Sequence, residues 1–480
     1  MKTSRTTVRA LVIVVGGVLL LSCLASRASL QDSRGLRSKD SAYVIIVSVD
    51  GLPADYYTSP ASYGLRVPNL TRMKLAGAYA AGVEGIYPTA TYPAHTTMVT
   101  GVRPATHGIV QNRIFEPPDA TQTRAWYWYA DAIKSETLWA LAKKAGLTTA
   151  AVSWPVTVGA EIDYNVPEFW AAAENVTLFG PMTRNATPGL VEKIVAWTSA
   201  KEPRADDWRT IEAEYLITNL RPNLLIVHLL ELDGVHHTYG PGAREALDVV
   251  EREDSYVGRI VDATRKAGTF DKTTFIIVSD HGFGKVVKRY TPGVTLVREK
   301  LVTVDAEGKA TNWKAAVWPA GGSCAIVLRD PKDTVTAKKL NDVFSKMADQ
   351  GGSPVSRVVT RAELDKMGAI PQAALMLEAA SDFSFDEGYT GPEVRDSGNY
   401  RGTHGYLPGR AEMRSALILF GHNVRGGARI QLARMIDIAP TAAGLLGLVF
   451  SEPEGSAITE LLKPGAVPLT PPLKKKKNNQ

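Results

Sequence analysis

Cysteine is nearly missing from this chain: Cys23 and Cys324 are the only two among 480 residues. With Cys23 inside an apolar leader, Cys324 stands alone, so the mature chain can form no internal disulfide and no thiolate cluster for a metal. A basic stripe interleaved with aromatics is absent too. The formal charge of +6 is carried partly by the leader and partly by "LKKKK" at residues 473–477, which removes the main argument for a nucleic-acid binder. No repeat of 20 to 50 residues is visible, which excludes a solenoid or propeller. What is present, 45% hydrophobic and 22% charged residues with 41 glycines and 28 prolines, suits a globular protein of one large or two modest domains.

The two ends differ from the rest. Lys2, Arg5 and Arg9 precede "ALVIVVGGVLLLSCLA", and the small residues of "SRAS" follow. Residues 1–29 therefore read as a signal peptide, too short and too early for a stable membrane anchor, and the mature protein is expected to be periplasmic or secreted. Cleavage before Cys23 would instead give a lipoprotein anchor, the one membrane attachment the sequence offers. Leu21 suits that recognition poorly, and plain export is favoured. Residues 466–480 read as a solvated basic tail.

Between these ends, β-branched apolar runs alternate with helical stretches, which predicts an α/β fold with a largely parallel sheet. Three runs finish on acids: "YVIIVSVDG" at Asp50, "LLIVHLLELDG" at Asp233 and "TFIIVSDHG" at Asp280 and His281. In open α/β sheets ligands bind beyond the carboxyl ends of the strands, so acids distant in sequence can converge there. A single Asp-Gly is ordinary turn chemistry. Three in succession, two with histidine close by, point to a site. His237 follows Asp233 by four residues, and His404 lies in the glycine-flanked loop "YRGTHGYLPG". Carboxylate oxygen and imidazole nitrogen without cysteine are the donors of an open catalytic zinc centre. Residues 295–400 carry their own punctuation and read as an inserted α+β subdomain leaning over the site, between catalytic segments 40–294 and 401–465.

"VIIVSVDG", "PTATYPAHTTMVTG", "HGIVQN", "DGVHHTYGP", "VSDHGF", "GTHGY" and "MIDIAPTAAGLLGL" run in order from residue 43 to about 447. This ordered set resembles the type I phosphodiesterase/nucleotide pyrophosphatase family of the alkaline phosphatase superfamily. The resemblance implies an alkaline-phosphatase-like fold and two zinc ions. Asp233, His237 and His404 would hold one; Asp50, Asp280 and His281 would hold the other together with Thr91, the nucleophile. Asn112 would contact a phosphate oxygen. Nucleotide-hydrolysing relatives sandwich a base between an aromatic residue after the nucleophile and a tyrosine a few residues before the first zinc aspartate. Tyr92 fills the first place, and at the second this chain has His228, which stacks less extensively, so the expected substrate is a small phosphodiester, with nucleotides among the candidates. A threonine hydroxyl is a weak nucleophile, and zinc would replace the base that "PTATYPAHTTMVTG" does not supply. Pro93 suits the first turn of a helix stopped by Gly101, which sets Thr91 at an N-terminus favourable to phosphate. His95 would then serve packing or hydrogen bonding.

Rival members of the superfamily fit less well. A sulfatase would show Cys/Ser-x-Pro-x-Arg where this chain has Thr91-Tyr92-Pro93-Ala94-His95, and a phosphoglycerate mutase would use serine in the cytosol. A non-catalytic binding protein would have lost a ligand position, and none is lost. A phosphate monoesterase is the main alternative. It needs extra cations for a dianion, commonly a Lys-x-Arg pair some seventy residues after the nucleophile. The corresponding "SWPVTVGAEIDYNVPEFW" has none and carries Glu161, Asp163 and Glu168 instead. A diester is therefore the expected substrate, unless the insert supplies a cation such as Arg329 or Lys332.

Overall fold

The computed structural model describes residues 42–169, 184–200 and 205–468. The expected signal peptide, Cys23 and residues 469–480 of the tail lie outside the described residues.

The strand Tyr43–Val49 is buried at all seven positions, and its alternate side chains enter two different cores. Ile45, Val47 and Val49 pack on one face with Val257, Ile260 and Val261 of the helix Arg244–Lys266. Val44 and Ile46 pack on the other with Met98 and Val99 of the helix Thr91–Thr100 and Ile438, Ala439 and Ala442 of the helix Ile438–Leu445. Each such side chain taken fully out of water contributes ~1.5–3 kcal/mol. A strand covered on both faces reads as an unbroken apolar run, which is why its period is invisible in the sequence.

That strand pairs in parallel with Leu224–Leu229 on one side and Thr273–Val278 on the other. Thr149–Val152 and Tyr164–Val166 extend the sheet in parallel beyond Leu224–Leu229. Beyond Thr273–Val278 come Leu417–Gly421, antiparallel, then Ala78–Ala80 and Arg429–Ile430, completing eight strands. The three strands whose runs finish on acids are thus neighbours at the centre, and their carboxyl ends lie side by side. One boundary differs from the sequence pattern. The run toward Asp233 stops being strand at Leu229, and a helix, Glu231–Tyr239, begins before the acid. Asp206 makes this break, accepting from Leu230 N at 3.1 Å and from Glu231 N. Those are orphan donors at a helix start, and a carboxylate is a good cap for them.

Within residues 295–400, the strands Ala315–Pro319, Ser323–Leu328, Ala373–Ala379 and Val355–Thr360 form an antiparallel sheet in that order. The helix Thr334–Ala348 starts where Asp333 accepts from Thr336 N at 2.9 Å, and Arg361–Met367 starts with a Thr360/Glu363 capping box. Leu340, Phe344, Ile326 and Leu377 of this segment share a core with Tyr290, Tyr406 and Met413 from outside it. A further cluster joins its Trp318 and Met376 to Tyr87 and Val110, residues of the segment around Thr91.

The chain returns to the site through Thr403–Tyr406, which is threaded tightly past the insert. Gly405 has φ +91°, and a Cβ there would lie 1.6 Å from the Ala320 carbonyl oxygen. Gly405→Ala is therefore expected to cost on the order of 3 kcal/mol from clash and backbone strain together. Denaturant titration against the parent measures this; an unchanged midpoint would mean that the return loop is free to shift.

Candidate metal centre and nucleophile

The helix Thr91–Thr100 begins two residues before Pro93, after Ala90 in extended conformation, and ends at Gly101 with φ 70°. Thr91 is its first residue, 8% exposed. His95, fully buried, fixes this turn: Nδ1 donates to Thr91 O at 2.8 Å and Nε2 accepts from Ser48 Oγ at 2.9 Å. Its role is hydrogen bonding. The other threonines are likewise engaged. Thr89 donates to Tyr406 O at 2.9 Å, Thr96 to Tyr92 O at 2.8 Å, and Thr100 to Thr96 O at 2.7 Å. Thr97 bonds His107 at 3.0 Å. Asn112 Oδ1 accepts from Tyr92 N at 2.9 Å, which holds this side chain against the first turn of the helix.

Asp50, Asp280 and His281 come together just beyond the central strands, and Asp233, His237 and His404 form a second group; within each, the candidate donor atoms lie within 4.8 Å of one another. His281 Nε2 is 3.2 Å from Asp280 Oδ2, 3.4 Å from Asp50 Oδ1 and 3.4 Å from Thr91 Oγ1. Asp233 Oδ1 is 3.5 Å from His237 Nε2 and 3.7 Å from His404 Nε2. The His281 and His404 rings stack at 3.7 Å, locking the two groups together.

The hydrogen bonds around these groups indicate what they are built for. Each imidazole is held through Nδ1 by a backbone carbonyl: His237 by Gly402 at 2.9 Å, His404 by Thr89 at 2.9 Å and His281 by Gly282 at 3.1 Å. Nδ1 must carry the proton, so Nε2 presents its lone pair inward, the tautomer a metal ligand requires. Asp280 Oδ1 accepts from Gly51 N and His281 N, both at 3.0 Å. The oxygens facing inward, Asp50 Oδ1, Asp233 Oδ1 and Asp280 Oδ2, are buried without a hydrogen-bond partner. Burial first, then the nearby Asp280, raises the pKa of Asp50 and Asp233, while burial holds His281 and His404 well below their usual range. Converging acids and neutral imidazoles of this kind are satisfied together by a cation. The donor set, nitrogen and carboxylate oxygen without sulfur, fits zinc.

A third carboxylate group, Asp206, Glu231 and Glu253, is of another kind. Asp206 is already engaged by the helix start described above and by Arg209 Nη1 at 2.7 Å.

Tyr92 and His228 require a correction. Both were expected to offer faces to a substrate base, and neither does. Tyr92 is 1% exposed beneath Trp126 and Trp128, and its hydroxyl donates to Glu168 at 3.0 Å. His228 is wholly buried, bonding Asp50 Oδ2 through Nε2 at 3.0 Å and Glu168 Oε2 through Nδ1 at 3.1 Å. Burial opposes its charge, but the bonds to the two carboxylates raise its pKa to about 10. As an imidazolium it donates from both nitrogens and orients Asp50. The reason lies in register. His228 faces Ser48 on the neighbouring strand, one residue inside the sheet edge, where no ligand can reach.

The acids of residues 153–168 also divide by position. Glu168 supports His228, Asp163 accepts from Thr149 N at 2.8 Å to tie two strands, and Glu161 is an exposed partner of Lys143. Sequence reasoning missed Glu168 as a supporting residue; only the fold brings it to His228. The open face of the site is a cleft of about 570 Å³, bounded at the metal end by Ala90, Asn112, His237 and His404 and further out by Trp126, Trp318, Tyr400 and several arginines. Arg329 does not line it, being paired with Asp119.

A hydroxyl at a helix N-terminus, set against two carboxylate–imidazole triads at the carboxyl edge of a mostly parallel sheet, defines a class: proteins of alkaline-phosphatase-like fold with a candidate metal centre beside a buried hydroxyl. Within that class, residues 44–407 match the family described as type I phosphodiesterase / nucleotide pyrophosphatase, and the chain belongs to it. Among curated relatives, human ectonucleotide pyrophosphatase/phosphodiesterase family member 1 is 26% identical over 247 residues, 50% of this chain and 23% of the human protein. Venom phosphodiesterase 2 of Crotalus adamanteus is 24% identical over 253 residues, 51% of this chain and 27% of the venom protein. The chain thus spans about a quarter of the length of these relatives. In three dimensions it resembles human ectonucleotide pyrophosphatase / phosphodiesterase 5, with TM-score 0.62 and 19% identity, covering 88% of this chain and 100% of that one. A murine counterpart in complex with AMP, an inactive threonine-to-alanine form, gives TM-score 0.61 at 20% identity over the same shares.

His404→Ala and Asp280→Ala are each expected to lower bound zinc, measured by elemental analysis of the purified protein. His228→Ala, which touches no metal position itself, is expected to weaken zinc affinity about 10- to 100-fold through loss of its hold on Asp50. Competition with a chromophoric chelator reads this directly, and parent-like affinity would remove His228 from the account.

Proposed function

We propose that this chain is an exported zinc-dependent phosphodiesterase or nucleotide pyrophosphatase in which Thr91 attacks phosphorus and carries the phosphoryl group as phospho-threonine before water releases it. The observation that carries this is the unpartnered inward oxygens of Asp50, Asp233 and Asp280, facing three imidazole Nε2 atoms, with Thr91 Oγ1 3.4 Å from one of them. Zinc bound by those donors would lower the pKa of the attacking hydroxyl and offset charge on the departing oxygen.

The chain's own groups do the rest. His95 holds the Thr91 carbonyl, so the hydroxyl is presented from a fixed turn rather than a mobile loop. Of the first-turn N–H groups, that of Tyr92 is taken by Asn112 Oδ1 and that of Ala94 by Ala90 O, and Pro93 has none, so the Thr91 N–H and the Asn112 amide would be the donors to the phosphoryl oxygens. AMP in the inactive murine relative supports a nucleotide as substrate class and a threonine as the attacking group. Export follows from the leader; among the described residues no helix is long and apolar enough to cross a membrane.

Residues 153–168 contribute no cation beside the triads, which favours a diester over a monoester with its one further negative charge; the arginines of the cleft, Arg395 of residues 295–400 among them, stand further out and are paired with Asp386 and Glu387. Three comparisons test this. Thr91→Ala should lower kcat by about a thousandfold or more while zinc content stays at the parent level, and Thr91→Ser should keep part of the rate. An alanine variant turning over at the parent rate would instead favour direct attack by water. Finally, kcat/KM for bis-p-nitrophenyl phosphate should exceed that for p-nitrophenyl phosphate under identical zinc and pH; the reverse order identifies a monoesterase working through the same centre.

A further inference from the structure

The cleft that leads outward from His237, His404 and Asn112 is walled by Arg113, Arg124, Arg289 and Arg395, with Asp386 and Glu387 as its only acids among the described residues. Four guanidinium groups against two carboxylates leave a surplus of two positive charges in a space of about 570 Å³. Four like charges this close would splay apart unless something held them. Here two adjacent carboxylates do so. Glu387 takes Arg113 at 3.0 Å on one oxygen and Arg124 at 3.4 Å on the other. Asp386 takes Arg289 at 2.6 Å on one oxygen and Arg395 Nε at 2.9 Å on the other. Each carboxylate therefore bridges two arginines and leaves most of their five donors unused.

Aromatic faces fix two of the four further. Arg113 lies over Trp126 at 5.6 Å and Arg289 over Tyr400 at 5.1 Å. Arg289 also keeps a buried Nε with no hydrogen-bond partner, the mark of a donor awaiting an acceptor. Tyr400 in turn stacks on His237 with centroids 5.0 Å apart, so the arginine wall begins one ring away from a metal-binding imidazole. An array fixed in place by shared carboxylates, with net positive charge and spare donors, suits an anion with several oxygens. A neutral aryl or alkyl group would gain nothing from it.

Resting on the phosphodiesterase reading above, we infer that Arg113, Arg124, Arg289 and Arg395 form an anion subsite that selects substrates bearing a second anionic group, such as a further phosphate, on the cleft side of the reacting phosphoryl. The guanidinium donors engage that second anion while Asn112 and the helix N-terminus engage the first. Specificity arises because a substrate with a single anionic centre leaves the wall unused.

The test uses the zinc-loaded parent and an Arg124→Ala/Arg395→Ala double variant, chosen because these side chains are the more exposed, 68% and 43%, and leave the Tyr400–His237 stack in place. Thermal denaturation checks that the variant folds; Arg124→Lys/Arg395→Lys, which keeps the charge, serves if it does not. Two substrates with the same nucleoside are compared: ATP, and the p-nitrophenyl ester of AMP, which has one anionic centre. The ratio of their kcat/KM values should fall about tenfold or more in the double variant, equivalent to one or two charge-assisted hydrogen bonds. Affinity for inorganic pyrophosphate, measured by calorimetry, should fall by a similar factor. Raising ionic strength should depress the parent's rate on ATP more steeply than on the ester. An unchanged ratio together with unchanged pyrophosphate affinity overturns the subsite, as does an equal loss on both substrates. If the parent cleaves neither substrate, the phosphodiesterase reading fails, and pyrophosphate binding still decides the subsite.

Discussion

Asp50, Asp233 and Asp280 each end up with a buried oxygen that lacks a hydrogen-bond partner, and most of the architecture around the site serves to make that arrangement tolerable. Buried like charges repel, and a carboxylate without a partner is costly to desolvate. The chain manages this on the outer side of each acid. Asp280 is bonded by two backbone amides, Asp50 by a doubly bonded imidazolium, and each facing histidine by a backbone carbonyl. What remains on the inner side is a set of donors that only a cation completes. The same arrangement sets the electrostatics: without positive charge the acids drift toward their protonated forms, and the imidazoles stay neutral with lone pairs inward.

The strands supply the precision. Asp50 and Asp280 follow adjacent parallel strands, whose spacing is roughly 4.8 Å, while Asp233 is carried by the helix Glu231–Tyr239 after the third, so the centre takes its dimensions from backbone hydrogen bonding in strand and helix. Parallel pairing of this kind requires both faces to be covered, which the helices Arg244–Lys266 and Thr91–Thr100 do. The second helix serves twice, since its buried side completes a core while its first residue presents the hydroxyl. A hydroxyl on a helix packed this way has little freedom to wander, which suits Thr91 to the attacking role proposed for it.

The four-stranded antiparallel sheet of residues 315–379 is coupled to the centre through backbone contacts. Gly322 N donates to His404 O at 2.7 Å, and Gly405 N donates to Thr89 O at 2.9 Å, so the insert, the return loop and the nucleophile segment are clasped together. Glu378, on a strand of the insert, accepts from Leu407 N at 3.0 Å and from the Tyr87 hydroxyl at 3.3 Å. The same segment contributes Trp318, Asp386, Glu387 and Arg395 to the cleft wall. It thus holds the loop bearing His404 in place and gives the cleft its charge.

The sequence by itself determined the α/β class, the three acid-terminated runs, the histidines grouped with them and the threonine framed by two prolines. These were legible because each is local: a strand end, a turn and an i, i+4 pair are written in neighbouring residues. The break between Leu229 and Glu231 was not legible, because Asp206, which causes it, lies outside the run. Nor were the places of Tyr92 and His228. Sequence put both beside the site, which is where they are, but whether a ring lines a cleft or lies beneath it depends on what covers it, here Trp126 and the sheet itself. The arginine wall was hidden for the same reason, its four members and two bridging acids being scattered from residue 113 to 395. Tertiary structure alone decided these, because burial, pairing and net charge in a shared space are properties of segments meeting, and no single segment encodes whom it will meet.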